Sequence, residues 1–498
     1  MTNKVVLYYP PYDGPPLGPP LCLLSLASPL IAAGFQVKIV DSAITASPEG
    51  TVAREIKDAL CFGVSFLTGP MIENAIHISR LVRSLRPDIP IIFGGWHATI
   101  LPAQTLAAGI ADIVVRGQGE LTLLEVAERL RDGKGLEEVR GCTVKTKGEA
   151  IHNPDRPVAN LNNLPTPLFS MGDYDAYEQR SGVRKVTYAS SVGCPYACNY
   201  CTDLVYYGQR FNAYKAERVV SEVTDLVSRW RLSEVAFLDS NFPVDVKRAL
   251  AIARGFVDSG VKFHWSFQAS TNLLCRMSDD EVCLLGESGV HHMGFGTESA
   301  SPEVLILMNK KHQRIDEMFE TARKTERAGI RVTFNLILGF LGETESDRVQ
   351  TLRVMTEIAR KYPNVSFSPN LFTPYPGISV WPELRKNGVR EPRSLEEWSR
   401  VTLGGNQLPW LAGRSSEKLS RMVHYFMLCT ETQRQASRDA WLGRRIRKVL
   451  AAPLRWRLRA GQYSFPWELW LARGLSRVAA RRSLLNGQVL RRGMQEAC

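Results

Sequence analysis

Between residues 4 and 128 short apolar runs alternate with segments of helical period. The runs fall at residues 5–9, 36–40, 60–66, 90–93 and 112–115. Short continuous apolar runs of this kind suit parallel strands covered by helices on both faces. Between the third and fourth, Ile78, Leu81, Val82 and Leu85 recur at i, i+3, i+4 and i+7, the stripe of a helix packed on a sheet. The pattern predicts an α/β unit over residues 1–140, a doubly wound, Rossmann-like parallel sheet that receives ligands beyond the carboxyl ends of its strands. Those ends carry Pro10 and Pro11, Thr68-Gly69, Gly94-Gly95-Trp96-His97-Ala98-Thr99 and Gly117-Gln118-Gly119-Glu120, where glycines admit a close approach of backbone to a large ligand.

Residues 141–180 change character. A hairpin is expected around Lys147-Gly148, followed by Asn- and Pro-containing sequence that reads as a linker. A second βα series occupies residues 181–385, with strands near 185–190, 234–238, 262–267, 292–296, 331–338 and 365–368. Amphipathic stretches separate them, for example Val219, Val223, Leu226, Val227 and Trp230. Ser278 with Glu281 forms a capping box, and Gly289 and Gly329 stand at helix C-caps. Six such units predict a partial (β/α)6 barrel. Residues 386–498 read as helical and then basic.

Composition narrows the class. The chain has 498 residues, 44% of them hydrophobic, enough for several packed units, and its 38 Gly and 28 Pro exclude a collagen-like or low-complexity chain. Residues 14–35 form an uncharged stretch of 22, but five prolines break it, so a buried loop and helix is expected rather than a membrane span. No secretory signal is read at the N-terminus, and ten cysteines then imply a reducing, cytoplasmic setting. The net charge of +12 resides in residues 434–498, which hold 15 Lys and Arg against three acids.

Chemistry concentrates after the first strand of the second series, in Gly193-Cys194-Pro195-Tyr196-Ala197-Cys198-Asn199-Tyr200-Cys201. Three thiols on one tight loop can converge on a single metal centre. A closed zinc site would need a fourth protein ligand, and no His or Cys stands nearby in sequence. Soft thiolates suit an iron–sulfur cube, whose fourth iron stays open to an exchangeable ligand.

A Cys-x-x-x-Cys-x-x-Cys loop in this position resembles the radical S-adenosylmethionine superfamily. The resemblance implies that Cys194, Cys198 and Cys201 hold a [4Fe–4S] cluster, and that its open iron binds S-adenosylmethionine for reductive cleavage to a 5′-deoxyadenosyl radical. It further implies that Tyr200 packs against the adenine and that Asp239, in Leu238-Asp239-Ser240-Asn241, meets the methionine amino group. Glu298 would bond the ribose hydroxyls, and Gly339, in Gly339-Phe340-Leu341-Gly342-Glu343, would lie on the adenine side. With a doubly wound domain in front, the chain resembles the cobalamin-binding branch. Gly94, Gly95, Gly117 and Gly119 would then line the corrin, with His97 or Trp96 near the cobalt; a histidine merely satisfied within the loop is the alternative. No Asp-x-His-x-x-Gly marks a lower cobalt ligand.

In the tail, Arg444-Arg445-Ile446-Arg447-Lys448, residues 454–459 and Arg481-Arg482 are interleaved with Trp441, Trp456, Trp467 and Trp470. The mixture suits a helix lying on an anionic bilayer, which would place the protein peripherally on the inner membrane surface. Nucleic acid is the competing use, and a solvated face is the default. The branch implies a C-methyltransferase acting on an unactivated carbon of a hydrophobic small molecule (lipid, isoprenoid, hopanoid or tetrapyrrole), served by an electron donor such as flavodoxin or ferredoxin. Its rivals are an oxidative cyclase of the anaerobic magnesium-protoporphyrin ester type and an iron–sulfur RNA-binding or sensor protein. No catalytic residue is assigned by sequence.

Overall fold

The computed structural model describes residues 3–12, 17–402, 408–411, 413–438, 452–458, 460 and 468. Five strands, β1 (Lys4–Tyr9), β2 (Gln36–Asp41), β3 (Ala59–Ser65), β4 (Ile91–Gly94) and β5 (Ile113–Val115), pair in parallel in the order β2-β1-β3-β4-β5. Val5, Val6, Leu7 and Tyr8 are all buried, as expected of a strand covered on both faces.

The segment after residue 140 is more than a connection. β6 (Cys142–Thr146) and β7 (Glu149–His152) form the expected hairpin, and it adds antiparallel to β5, making a seven-stranded sheet. Cys142, Thr143 and Val144 are buried against that sheet. Farther on, the helix Tyr174–Ser181 begins at an Asp173 cap and ends at left-handed Gly182. Its Tyr177 is buried and donates a hydrogen bond to Asp41 at the end of β2. Tertiary pairing of this kind is invisible to local turn signals.

The second unit contains β8 (Lys185–Tyr188), a two-residue pair β9 (Ser191–Val192) and β10 (Asn212–Ala213), then β11 (Glu234–Phe237), β12 (His264–Ala269), β13 (Val290–Glu298), β14 (Arg331–Leu338) and β15 (Val365–Leu371). Six strands pair in parallel in the order β15-β14-β13-β12-β11-β8, an open partial barrel. Unlike the first sheet, this one alternates. Val332, Phe334, Leu336 and Leu338 of β14 are buried, whereas Thr333, Asn335 and Ile337 between them are half-buried. Phe334 meets Phe295 and Phe367 on the helix side, so the half-buried set faces the lumen.

The C-terminal region folds back onto both units. In the short helix Leu395–Trp398, Trp398 is buried against His97, and Phe426 of the helix Arg414–Arg438 packs on Phe367. Most of the basic tail, including Trp441, Arg444, Arg445, Arg447, Lys448, Trp467, Trp470, Arg481 and Arg482, lies outside the described residues. Within them, Arg457 is not a solvated cation. It bonds Glu468 at 2.7 Å, Glu468 accepts a second bond from Tyr425 at 2.8 Å, and all three residues are buried, while Trp456 is exposed. No helix among the described residues is long and apolar enough to cross a membrane.

Candidate functional site

The cysteine loop leaves the barrel at β9. Gly193 has φ +77, and a Cβ there would lie 2.0 Å from the Arg210 carbonyl, so the close pass of the loop over its return strand requires glycine. The loop is pinned from the far side by the turn at residues 307–309. The Asn199 side chain donates to the Leu307 carbonyl at 2.7 Å, its backbone N–H to that of Met308, and Asn309 donates to the Ala197 carbonyl at 2.6 Å. Tyr196 stacks on His312 with centroids 3.6 Å apart and accepts a bond from Asn272.

Burial raises the pKa of all three thiols, that of Cys201 to about 12. Desolvated thiols ionise when a cation compensates them, so the donor set fits a metal centre. Among the described residues no three His, Cys, Asp or Glu side chains form a cage around a single ion. The cysteine loop nevertheless stands at the barrel's carboxyl ends, where the expected cofactor residues converge.

Tyr200 and Glu298 are brought together. The Tyr200 hydroxyl donates to Glu298 Oε1 at 2.9 Å, and Lys310 Nζ reaches that oxygen at 3.1 Å and the Tyr200 oxygen at 3.2 Å. Burial opposes the Lys310 charge, and the Glu298 carboxylate overrides it and holds the pKa above the ordinary value. Glu298 has φ +54 at the point where the β13–β14 register shifts. The irregularity turns its side chain over the barrel mouth, at the backbone cost a left-handed non-glycine residue carries. A Cβ on Gly296 would meet Glu298 Oε1 at 2.5 Å, so the carboxylate lies across a position without a side chain. Lys310 was not singled out by sequence; it lies far along the chain from the cysteines and only the turn at residues 307–309 brings it in.

Asp239 is not available to a ligand. It is buried, accepts from Ser190 N at 2.8 Å, Ser190 Oγ at 2.6 Å and Ser191 Oγ, and thereby ties the end of β11 to the start of the cysteine loop. Its neighbours reach the site instead. Asn241 Nδ2 stands 3.9 Å from Cys194 Sγ and bonds Ser270, and Ser240 bonds Asp203, whose Oδ2 is buried without a partner among the described residues. Gly339 has φ +79 and lies under the C-terminal turn Pro409–Leu411, its carbonyl accepting from Trp410 at 3.0 Å.

The carboxyl ends of the first sheet open on a cavity of about 560 Å³. Gly94, Gly95, Trp96, Gly117, Gly119 and Glu120 form one wall. A Cβ on Gly95 would strike the Phe66 carbonyl at 2.5 Å, so the edge is bare by necessity. Trp96 lies against Tyr206 with centroids 4.5 Å apart and the rings tilted by 33°, and Tyr207 adds an edge at 6.0 Å. Tyr206 donates to the Gly117 carbonyl, tying the barrel's first helix, Thr202–Tyr207, to the first sheet. Flat aromatic faces and side-chain-free backbone fit a broad macrocycle.

His97 does not join that wall. It is fully buried on the other side of its turn, with Nδ1 3.0 Å from Thr68 Oγ1, between Phe66 and Trp398. Burial pushes its pKa down to about 3, so it is neutral. The cavity is closed by residues not foreseen by sequence: Cys22, Leu161, Tyr177 and Tyr214.

Residues 4–127 match the model of the B12 binding domain and residues 188–355 that of the radical SAM superfamily. The chain belongs to the cobalamin-binding branch of the radical SAM enzymes. Its cofactors are a [4Fe–4S] cluster, S-adenosylmethionine and cobalamin. It is 29% identical to an uncharacterised methyltransferase of Pyrococcus horikoshii over 84% of this chain and 90% of that one. It is 24% identical to the hopanoid C-3 methylase of Methylococcus capsulatus over 76% and 71%. The radical S-adenosylmethionine methyltransferase TsrM of Kitasatospora setae, solved with cobalamin and a [4Fe–4S] cluster, shares the fold with a TM-score of 0.69 at 16% identity, over 93% of this chain and 100% of that one.

Proposed function

We propose that this enzyme transfers a methyl group to an unactivated carbon of a small molecule, with Cys194, Cys198 and Cys201 as the cluster ligands. One observation carries the reading: the cavity at the first sheet also takes its lining from the barrel, through Thr187, Ala189, Leu238 and Ser240 at the ends of β8 and β11. When bound, the cluster with S-adenosylmethionine supplies a hydrogen-abstracting radical, and cobalamin supplies the methyl group. The chain's part is geometric. Tyr200, Glu298 and Lys310 hold the nucleoside end at the barrel mouth, Gly94, Gly95, Gly117 and Gly119 leave room for the corrin edge, and Trp96 with Tyr206 closes off solvent.

The lipid, isoprenoid or tetrapyrrole class finds support in the apolar surface between the two sites, where Leu238 is 50% exposed, and in the relative named a hopanoid methylase. A flavodoxin or ferredoxin remains the proposed electron donor. The bilayer contact of the tail rests on its Arg and Trp pattern, and the full chain should sediment with anionic vesicles while residues 1–433 do not.

The deciding experiment supplies the anaerobically reconstituted enzyme with S-adenosylmethionine carrying a trideuterated methyl group and an extract from cells that lack the gene. A product heavier by one labelled methyl supports transfer. An unlabelled product that has lost hydrogen would establish oxidative ring closure instead.

A further inference from the structure

The barrel lumen has a chemistry that the cofactors leave unused. Its floor is a hydrogen-bonded layer, His292 Nε2 to Thr333 Oγ1 at 2.8 Å and Thr333 Oγ1 to Ser366 Oγ at 2.9 Å. Burial pushes the His292 pKa down to about 4, so the floor is neutral. Lys185, Glu234, His264 and Arg331 stand below it, at the amino-terminal ends of their strands.

Level with Thr333 at Gln268, and above it at Asn335, Ser368 and Asn370, the strands present amides and hydroxyls. Gln268 is exposed and Asn335, Ser368 and Asn370 are half-buried, each in the lumen-facing phase of its strand. Asn370 bonds the Ser368 carbonyl and hydroxyl at 3.0 and 3.3 Å. Among the described residues neither the Gln268 nor the Asn335 amide has a hydrogen-bond partner. Beside these amides β13 offers only glycine, Gly294 in register with Gln268 and Gly296 with Asn335. A Cβ on Gly294 would meet Gln268 Oε1 at 2.2 Å, and one on Gly296 would meet Glu298 Oε1 at 2.5 Å. The Gln268 amide lies across the bare backbone of Gly294 and the Glu298 carboxylate across that of Gly296, so the two glycines seat polar groups of the lumen rather than fill it with apolar side chains.

We propose that the substrate enters the barrel lumen by an uncharged hydrogen-bonding group, a hydroxyl or carboxamide, which Gln268 and Asn335 bind, so that anionic headgroups are excluded from the lumen. A carboxylate or phosphate would be desolvated there with no cation among the lumen-facing positions between floor and mouth to offset it. A pure hydrocarbon would displace water from both amides and leave them unpaired. The inference rests on the methyl-transfer reading only in taking the lumen as the place of reaction, and it narrows the expected hydrophobic class to molecules with a neutral polar handle.

The test uses the reconstituted full-length enzyme, S-adenosylmethionine with a trideuterated methyl, and an extract of gene-deleted cells divided on an anion exchanger. Two readouts are taken, the rise in 5′-deoxyadenosine release and the appearance of a labelled product. The unretained fraction should stimulate release, and Gln268→Leu and Asn335→Leu should each cut the stimulation by at least roughly tenfold. Gly294→Ala, which displaces Gln268 without removing it, should do the same. Retention of the cluster's visible absorbance and of the melting temperature marks these as losses of recognition rather than of fold. Stimulation by the retained, anionic fraction alone, by neither fraction, or equally in wild type and variants would overturn the proposal. Stimulated release without any labelled product would leave the lumen assignment standing and defeat methyl transfer.

Discussion

The parallel strands of the two sheets each end in a crevice, and the crevices are built on opposite principles. At the first, the wall is glycine backbone and aromatic faces, and its histidine is turned inward, neutral and bonded to Thr68. At the second, charge is kept and paired: Glu298 with Lys310, and Asp239 held by two serines with Arg248 close behind, bonded to the Ser190 carbonyl. A large flat ligand can be held by shape, whereas a small charged nucleoside needs fixed donors and acceptors. The contrast predicts that substitutions at the second crevice are severe and those at the first graded.

The largest effect should come from Cys198→Ala, which removes a proposed cluster ligand; iron content and 5′-deoxyadenosine release should both collapse, and retained release would break the assignment. Next is Lys310→Met. It strands a buried carboxylate, so denaturant unfolding should show a loss of about 3 kcal/mol, together with weakened S-adenosylmethionine binding by calorimetry. At the first crevice Trp96→Ala should cost about 1 kcal/mol of ring packing, seen as a several-fold rise in the cobalamin dissociation constant. His97→Gln should leave the visible spectrum of bound cobalamin unchanged, and a shifted spectrum would restore His97 as a cobalt neighbour.

The effect spread most thinly over pH concerns Glu343, which burial raises to about 7 although it accepts a bond from Arg348 at 3.2 Å. Its folded pKa lies above the unfolded one, so the stability it contributes is present below about pH 4.5 and lost as pH rises through 7. The loss is about 3 kcal/mol. Melting curves of wild type and Glu343→Gln should therefore differ in slope across pH 5 to 8, the variant being flatter. Parallel slopes would mean that the ion pair, not burial, governs the group.

What the sequence made legible follows the range of each interaction. Apolar runs specify parallel strands locally, so the parallel strands of the two sheets could be read from residue order, and the three thiols proposed as cluster ligands stand within eight residues on one loop. The lumen was also written in order, since Arg331 to Leu338 alternates polar and apolar before its last residues. Asp239 was misread because strand-end position does not reveal partners: the serines that consume it come from the neighbouring β8–β9 segment. Lys310 needed the turn after the helix Pro302–Leu307. For Trp96 and His97, adjacent residues take opposite sides of one turn, and no local pattern says which.

The helix Tyr174–Ser181 makes the boundary between the units something other than a seam. Tyr177 reaches back to Asp41 and forms part of the cavity's enclosure. A fragment cut at residue 140, or a chimera that swaps the front unit onto a foreign barrel, would inherit a vessel with one side missing. Modularity in this chain therefore ends where its pigment-sized chamber begins, and recombination can exchange its parts only if the intervening helix travels with them.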